Sequence, residues 1–253
     1  MTPELTDAAL ARTVALEAAA LLRALCLSGS CSGTELGARG DGDANALILD
    51  RLKAARPLDF ILSEEAADNP DRCAERRVWI VDPLDGTREF CEGLEDWAVH
   101  IGLAVDGVAV TGAVALPATG QVFTSDDPPR PLAALPLPPR MVVSRTRPPE
   151  IALSVAAAIG ATLVPMGSAG AKAMAVVDGR AEIYLHAGGQ YEWDNCAPVA
   201  VARAAGLHCS RIDGSTLVYN RRDPLLPDLL ICRPELAAAV LASISAQVSQ
   251  RDV

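Results

Sequence analysis

Between Val78 and Thr87 the chain reads Val-Trp-Ile-Val-Asp-Pro-Leu-Asp-Gly-Thr. An apolar run there meets two acids, a glycine and a hydroxyl without a break. The run predicts a strand, and a strand this apolar belongs in a packed core. The acids then stand at a strand end, where a hard cation can be held, and Gly86-Thr87 predict a helix start, where free amides can hold a phosphate. Metal and phosphate in one place point to metal-assisted phosphate chemistry.

Around this segment the pattern is layered. Thr6 predicts the N-cap of a helix through Leu25, with Leu10, Val14, Ala18, Leu21 and Leu25 on one face. Ser28 to Gly42 reads as a Gly/Ser-rich loop, and a second helix is expected from about Asp43 to Ala55. Phe60-Ile61-Leu62 is a short strand that delivers Ser63-Glu64-Glu65. Trp97 to Thr124 is β-rich, with Asp106-Gly107 as a hairpin signal. Residues 126–140 contain six prolines and predict a linker. It divides residues 1–130, which carry Asp41, Glu64 and Asp82 to Thr87, from residues 131–253, which carry Asp194 and the substrate-side loops. The second half alternates strands (Met141 to Val143, Thr162 to Val164, Ala181 to Leu185, Asp228 to Cys232) with helices near Glu150 to Ile159, Ala171 to Val177 and Asp194 to Ala205, then a C-terminal helix. That alternation is the mark of an α/β layered fold.

Composition narrows the function. A net charge of −10 argues against a broad surface for nucleic acid polymers, though a few local cations can still serve a small anionic substrate. Seven cysteines form no CxxC pair and are odd in number, which suits reduced thiols in a cytoplasmic protein. No signal peptide or spanning segment is read, so no membrane partner is expected.

Each acid has a plain structural reading. Asp-Pro and Asp-Gly are turn formers, Asp194 is an ordinary N-cap, and Glu64-Glu65 suits a solvated loop. Together they say more, because Glu64, Asp82, Asp85 and Asp194 all sit at strand ends or helix starts. If they converge, each pair about 4 Å apart repels by roughly 4 kcal/mol at an effective dielectric near 20. That is a large cost for a domain whose net stability is about 5–15 kcal/mol. Convergence therefore implies bound cations, and an all-oxygen donor set favours Mg²⁺ over Zn²⁺.

Asp82-Pro83-Leu84-Asp85-Gly86-Thr87, with Glu64 upstream and Trp193-Asp194 before a small-residue helix ending at Gly206, resembles the inositol monophosphatase superfamily. The likeness covers nearly the whole chain. It implies an α/β/α/β/α layered fold and a lithium-sensitive, Mg²⁺-dependent phosphomonoesterase. Leu84 and the continuation Arg88-Glu89-Phe90, with Ser144-Arg145, Gly167-Ser168 and Lys172, are similar to the 3′-phosphoadenosine 5′-phosphate phosphatases of bacterial sulfate assimilation, the CysQ group.

The resemblance also implies roles. Glu64, Asp82 and the carbonyl of Leu84 would bind one Mg²⁺, Asp82, Asp85 and Asp194 a second, and a third, weaker ion would sit by Glu64. The amides of Gly86 and Thr87 would hold the phosphate, and Thr87 with an upstream acid would activate water. That acid is Asp41, 23 residues ahead of Glu64, with Asp43 as competitor; Ala38 replaces the threonine usual in the family. Arg88 is either a contact to a second phosphate or an exposed helix arginine. Arg145 either binds the non-reacting phosphate or forms a surface ion pair. Lys172 and His186 are further substrate candidates. His100 reads as a packed strand residue, and Trp193 as core rather than an adenine platform. Asp85→Asn is expected to abolish activity and leave the fold intact, since removing an acid relieves repulsion.

The expected reaction is removal of the 3′-phosphate of 3′-phosphoadenosine 5′-phosphate to leave AMP, with 3′-phosphoadenylyl sulfate as a second substrate. The alternatives are an inositol-1-monophosphatase or fructose-1,6-bisphosphatase of broad specificity on the same scaffold. A reading of another class is a non-catalytic metal- or nucleotide-binding regulator. Monomer and homodimer remain open.

Overall fold

A computed structural model describes residues 5–129 and 134–251 of the chain. Helices α1 (Asp7–Ser28) and α2 (Gly33–Ala55) come first, then strands β1 (Phe60–Ser63) and β2 (Arg77–Asp85), the short helix α3 (Thr87–Cys91), and β3 (Ala98–Val105), β4 (Val108–Leu116) and β5 (Gln121–Thr124). They are followed by β6 (Arg140–Ser144), α4 (Glu150–Ile159), β7 (Thr162–Met166), α5 (Ala169–Val177), β8 (Ile183–Tyr191), α6 (Glu192–Ala204), β9 (His208–Ser210), β10 (Leu225–Cys232) and α7 (Pro234–Arg251).

Two five-stranded sheets result, in the orders β1-β2-β3-β4-β5 and β7-β6-β8-β10-β9. Helices α1 and α2 cover one face of the first sheet, α5 and α6 fill the space between the sheets, and α4 and α7 cover the far face of the second. This is the α/β/α/β/α layering expected from sequence. Strand β2 explains why its sequence is apolar without alternation. Trp79 and Val81 enter the core beneath α1 and α2, while Val78 and Ile80 enter the core shared with α5 and α6. By the same period of two, Asp82 continues the Val78–Ile80 row and faces the α6 layer.

The first sheet is built from residues before the proline-rich stretch and the second from residues after it. The central core nonetheless combines Leu62, Val78 and Ile80 with Val142, Met174 and Val201, so the sheets share one interior. Part of the linker, residues 130–133, lies outside the described residues.

Three expectations need correction. Helix α2 begins at Gly33, not near Asp43. The glycines that suggest a loop are instead points of close helix contact: a Cβ at Gly37 would lie 2.8 Å from Thr87 Cγ2, and one at Gly40 would lie 3.0 Å from Phe90. Asp41 therefore projects from a helix. Strand β8 runs to Tyr191, past Leu185, because pairing with β10 continues to Leu225. Helix α6 begins at Glu192 with Tyr191 as its N-cap, so Asp194 is the third helical residue and not the cap. Strand β9, unread in the sequence, is three residues long and too short to carry a periodic signal.

Candidate active site

The strand β1 and the strand β2 run parallel, so Glu64, just past β1, and Asp82 and Asp85, ending β2, emerge at the same sheet edge. Asp194 arrives from the other half, in the first turn of α6. Carboxylate oxygens of Asp82, Asp85 and Asp194 all lie within 4.8 Å of one another. Glu64 is open to solvent on its outer side, with its carboxyl turned toward Asp82.

Electrostatics separates these acids. Burial, then the charges of Glu64, Asp85 and Asp194, push Asp82 well above the usual carboxylate range. Burial is also the leading cause for Asp194 and Glu64, each raised to about 7. Asp85 goes the other way. Burial would raise it, but His100, Lys172 and Ser168 together hold it below its ordinary value. Its carboxylate accepts from Ser168 Oγ at 2.5 Å, Ala169 N at 3.1 Å and Gly170 N at 2.6 Å, all at the start of α5. The sequence-based expectation for Asp85→Asn is therefore revised: an amide there faces N–H donors, so the change costs stability. Asp82, with one hydrogen bond from Leu84 N at 3.0 Å, is the acid whose neutralisation relieves repulsion.

These residues fit a hard divalent cation. All donors are oxygens, and each raised acid marks negative charge that the chain does not neutralise itself.

Gly86 has a left-handed backbone, φ 89, which turns the chain from β2 into α3 and leaves the helix start without a side-chain cap. The Thr87 hydroxyl donates to the Leu84 carbonyl at 3.1 Å and stands 3.4 Å from Asp41 Oδ1. Burial, then Glu65, raises Asp41 to about 6. Asp43, its competitor, pairs instead with Arg39 at 3.4 Å on the exposed side of α2.

Beside the acids lies a cavity of about 220 Å³. Of the sequence candidates, Arg88, Ser144, Gly167, Ser168, Lys172 and His186 line it, together with Asp85 and Asp194. Lys172 is buried, its Nζ donating to the carbonyls of Gly167 at 3.0 Å and Ser168 at 2.5 Å and lying 5.5 Å above the Tyr184 ring. Burial lowers His186 to about 4, so it is a neutral ring, with Nε2 bonded to the Gly188 carbonyl at 2.7 Å.

Arg145 is placed elsewhere. It pairs with Asp96 and, at 3.5 Å, with Glu89, and lines a separate cavity of about 330 Å³ with Met166 and Arg180. Arg147 lines the site cavity instead. Sequence reasoning passed over Asp96, which accepts from Gly167 N at 2.5 Å. His100 is the packed strand residue expected, fully buried on β3, and it also touches Asp85. Burial pulls the His100 pKa down, but Asp85 and the Trp193 carbonyl outweigh it and the pKa is raised. Its only sequence signal is its face: His100 shares a row with Ala98 and Gly102, small residues that leave room in the central layer.

The inositol monophosphatase family model matches residues 8–128 and 140–249. The chain belongs to that family. A "3′-phosphoadenosine 5′-phosphate phosphatase" of Mycobacterium bovis is 52% identical over 219 residues, covering 83% of this chain and 82% of the relative. One of Mycobacterium leprae is 49% identical over 255 residues, covering 95% and 94%. Among solved structures, CysQ of Bacteroides thetaiotaomicron, a bacterial member of the family, superposes with a TM-score of 0.79 at 25% identity, covering 90% of this chain and 97% of that one. The family's fold is thus present here, and this chain carries the Asp82, Asp85 and Asp194 cluster on it. Among the described residues, no helix is long and apolar enough to cross a membrane.

Proposed function

We infer that this protein is a metal-dependent phosphomonoesterase that removes the 3′-phosphate of 3′-phosphoadenosine 5′-phosphate, leaving AMP, and that it also accepts 3′-phosphoadenylyl sulfate. The observation that carries this reading is near-half identity, over almost the full chain, to phosphatases named for that nucleotide. The site supports it. Asp85 and Asp194 line the cavity, and Arg88, Arg147 and Lys172 line it as well. A substrate with two phosphates suits a cavity that carries both ion-holding acids and cations.

Glu64, Asp82, Asp85, Asp194 and the Leu84 carbonyl would hold Mg²⁺, two ions with a third by Glu64. Such ions neutralise phosphoryl oxygens and lower the pKa of a bound water. The chain does the rest. The first amides of α3, at Gly86 and Thr87, orient the phosphate. Thr87 positions the attacking water, and Asp41, raised to about 6, takes the proton that the water gives up. As the new P–O bond forms, the P–O bond to the ribose 3′ oxygen breaks, and that oxygen leaves with a proton from solvent. Arg88, Lys172, Ser144 and His186 would grip the nucleotide side. A cytoplasmic location, lithium inhibition and a role in sulfate assimilation belong to the same proposal.

Phosphate release from 3′-phosphoadenosine 5′-phosphate, inositol 1-phosphate and fructose 1,6-bisphosphate, compared with and without Mg²⁺, tests it. The nucleotide is expected to be preferred, with turnover abolished by a chelator. A clear preference for either sugar substrate would overturn the assignment, and nucleotide binding without Mg²⁺-stimulated turnover would leave only the regulator reading.

A further inference from the structure

We propose that His100 is a positioning residue of this site: it ties Asp85, from the first sheet, to the Trp193 carbonyl beside Asp194, from α6, and so sets the spacing between acids contributed by the two halves. The inference rests on reading Asp82, Asp85 and Asp194 as ion ligands.

His100 is fully buried on β3, directly across from Asp82 in the strand register. An apolar residue is the usual occupant of such a position, and a polar ring there needs partners. Nδ1 lies 3.0 Å from the Trp193 carbonyl, which can only accept, so Nδ1 carries the hydrogen. Nε2 lies 3.3 Å from Asp85 Oδ2, in ion-pair range yet without hydrogen-bond alignment. One ring thus spans from the last residue of β2 to the residue before Asp194.

The first turn of α6 needs such a tether. Pro198 lies within the helix and has no N–H, so the Asp194 carbonyl lacks its intrahelical partner four residues on. The turn's own side chains hold it: Asp194 Oδ2 accepts from Tyr191 N at 2.6 Å within the turn, and Glu192 reaches out to accept from Asn220 N at 2.7 Å and Arg221 N at 2.8 Å. His100 alone among these contacts joins the turn to Asp85.

The sequence of α5 is fitted to the ring. A Cβ at Gly170 would lie 2.0 Å from His100 Nε2, and Gly170 N donates to the same Asp85 oxygen that Nε2 faces. Only glycine at this position admits the histidine.

Mn²⁺ binding to the substrate-free protein, read by electron paramagnetic resonance, tests the role beside kcat, KM and the metal-free melting temperature. His100→Leu is expected to weaken Mn²⁺ binding about tenfold, in the range for residues that orient metal ligands. At saturating metal its KM for the nucleotide should stay within about twofold of the wild type. His100→Asn keeps a donor toward Trp193 and should recover part of the affinity, while Gly170→Ala should reproduce the loss. Where His100→Leu does not fold, His100→Asn and Gly170→Ala carry the test through their Mn²⁺ affinity. Wild-type Mn²⁺ affinity in His100→Leu with only a lower melting temperature would reduce His100 to packing. Asp82→Asn run in parallel separates the two claims: if it too binds Mn²⁺ normally, the reading of the acids as ligands fails, and the role of His100 with it.

Discussion

Strands β1 and β2 gather acids at both of their ends, and the two ends are solved differently. At the entry end, Asp59 precedes β1, and Arg77 opens β2. There Arg77 pairs with Asp59 at 2.9 Å and with Asp7 at 3.0 Å, Arg56 pairs with Asp7 at 2.9 Å, and Trp79 Nε1 donates to Asp59 at 3.0 Å. Two carboxylates meet two guanidinium groups, and the charge closes within the chain. At the exit end, Glu64, Asp82, Asp85 and Asp194 have His100 and Lys172 near them and, among the described residues, no guanidinium paired to them, and three of the four acids are held above their ordinary range. A self-neutralised cluster holds the fold together. A cluster left anionic costs stability, and it persists where something outside the chain completes it.

The sharpest way to break this contrast is to neutralise the exit end. Asp82→Asn should lower Mg²⁺-dependent phosphate release by about a thousandfold or more. It should leave the metal-free melting temperature unchanged or raise it, because the acid it removes is buried beside three others. Asp85→Asn should lose activity as fully but also melt lower, since it disturbs three hydrogen bonds to α5. Equal melting temperatures for the two variants would show that the acids are equivalent and that their separation here is wrong.

At the entry end the same operation should do the reverse. Asp59→Ala strands the buried Trp79 N–H and removes one partner of Arg77, at a cost of about 2–4 kcal/mol. For a chain of this size that lowers the melting temperature by about 5–12 °C. Turnover at 25 °C should stay near the wild-type value. Calorimetry with a matched activity assay checks both, and a loss of activity exceeding the loss of folded protein would couple the two ends.

The exit end should also leave a mark on pH dependence. Asp82, Asp194 and Glu64 hold protons in the folded, metal-free protein at pH values where the unfolded chain, with carboxyls near about 4, has released them. The folded state then binds more protons, so stability is greatest at low pH and falls as pH rises from about 4 to about 7. Asp85, depressed, contributes in the opposite direction, and only at lower pH. Metal-free protein should therefore melt several degrees lower at pH 8 than at pH 5, and Mg²⁺ should raise the melting temperature more at pH 8. A metal-free melting temperature that rises over this interval would contradict the accumulation of charge.

How much of this was legible in the sequence depends on the range over which each feature is encoded. The Asp82–Thr87 turn is local: one apolar strand and its end carry it, and the structure places it as read. Asp194 is distant, but the helix start that carries it has its own local signal. What failed was set by contacts across the chain. Gly37 and Gly40 look like loop residues until Thr87, Cys91 and Phe90 are packed against them. His100 looks like filler until Asp85 and Trp193 are brought to either side of it. Asp59 and Asp7 show no sign in sequence that they share Arg77, 18 and 70 residues away along the chain.

The smallest effect concerns the cations that face the acids, and it rests on the same question of which charges are already matched. Ser144 ends β6, and the two arginines that follow diverge. Arg145 is held by Asp96 and Glu89 in the neighbouring cavity, so its charge is spent as at the entry end. Arg147 lines the site cavity, and no ion pair engages it among the described residues. Its guanidinium is free to meet the phosphate that does not react. Arg147→Ala should raise KM for 3′-phosphoadenosine 5′-phosphate by roughly tenfold, the scale of one charge-assisted hydrogen bond, with kcat little changed. Arg145→Ala should shift KM by no more than about twofold and cost about 1 kcal/mol of stability, as for a partly exposed ion pair. Initial rates on the nucleotide, set beside rates on a substrate with a single phosphate, separate the cases: the Arg147 effect should vanish on the second substrate. If Arg145→Ala instead carries the larger KM effect on the bisphosphate, its ion pairs open when substrate binds, and the matched charges in this cavity are not inert.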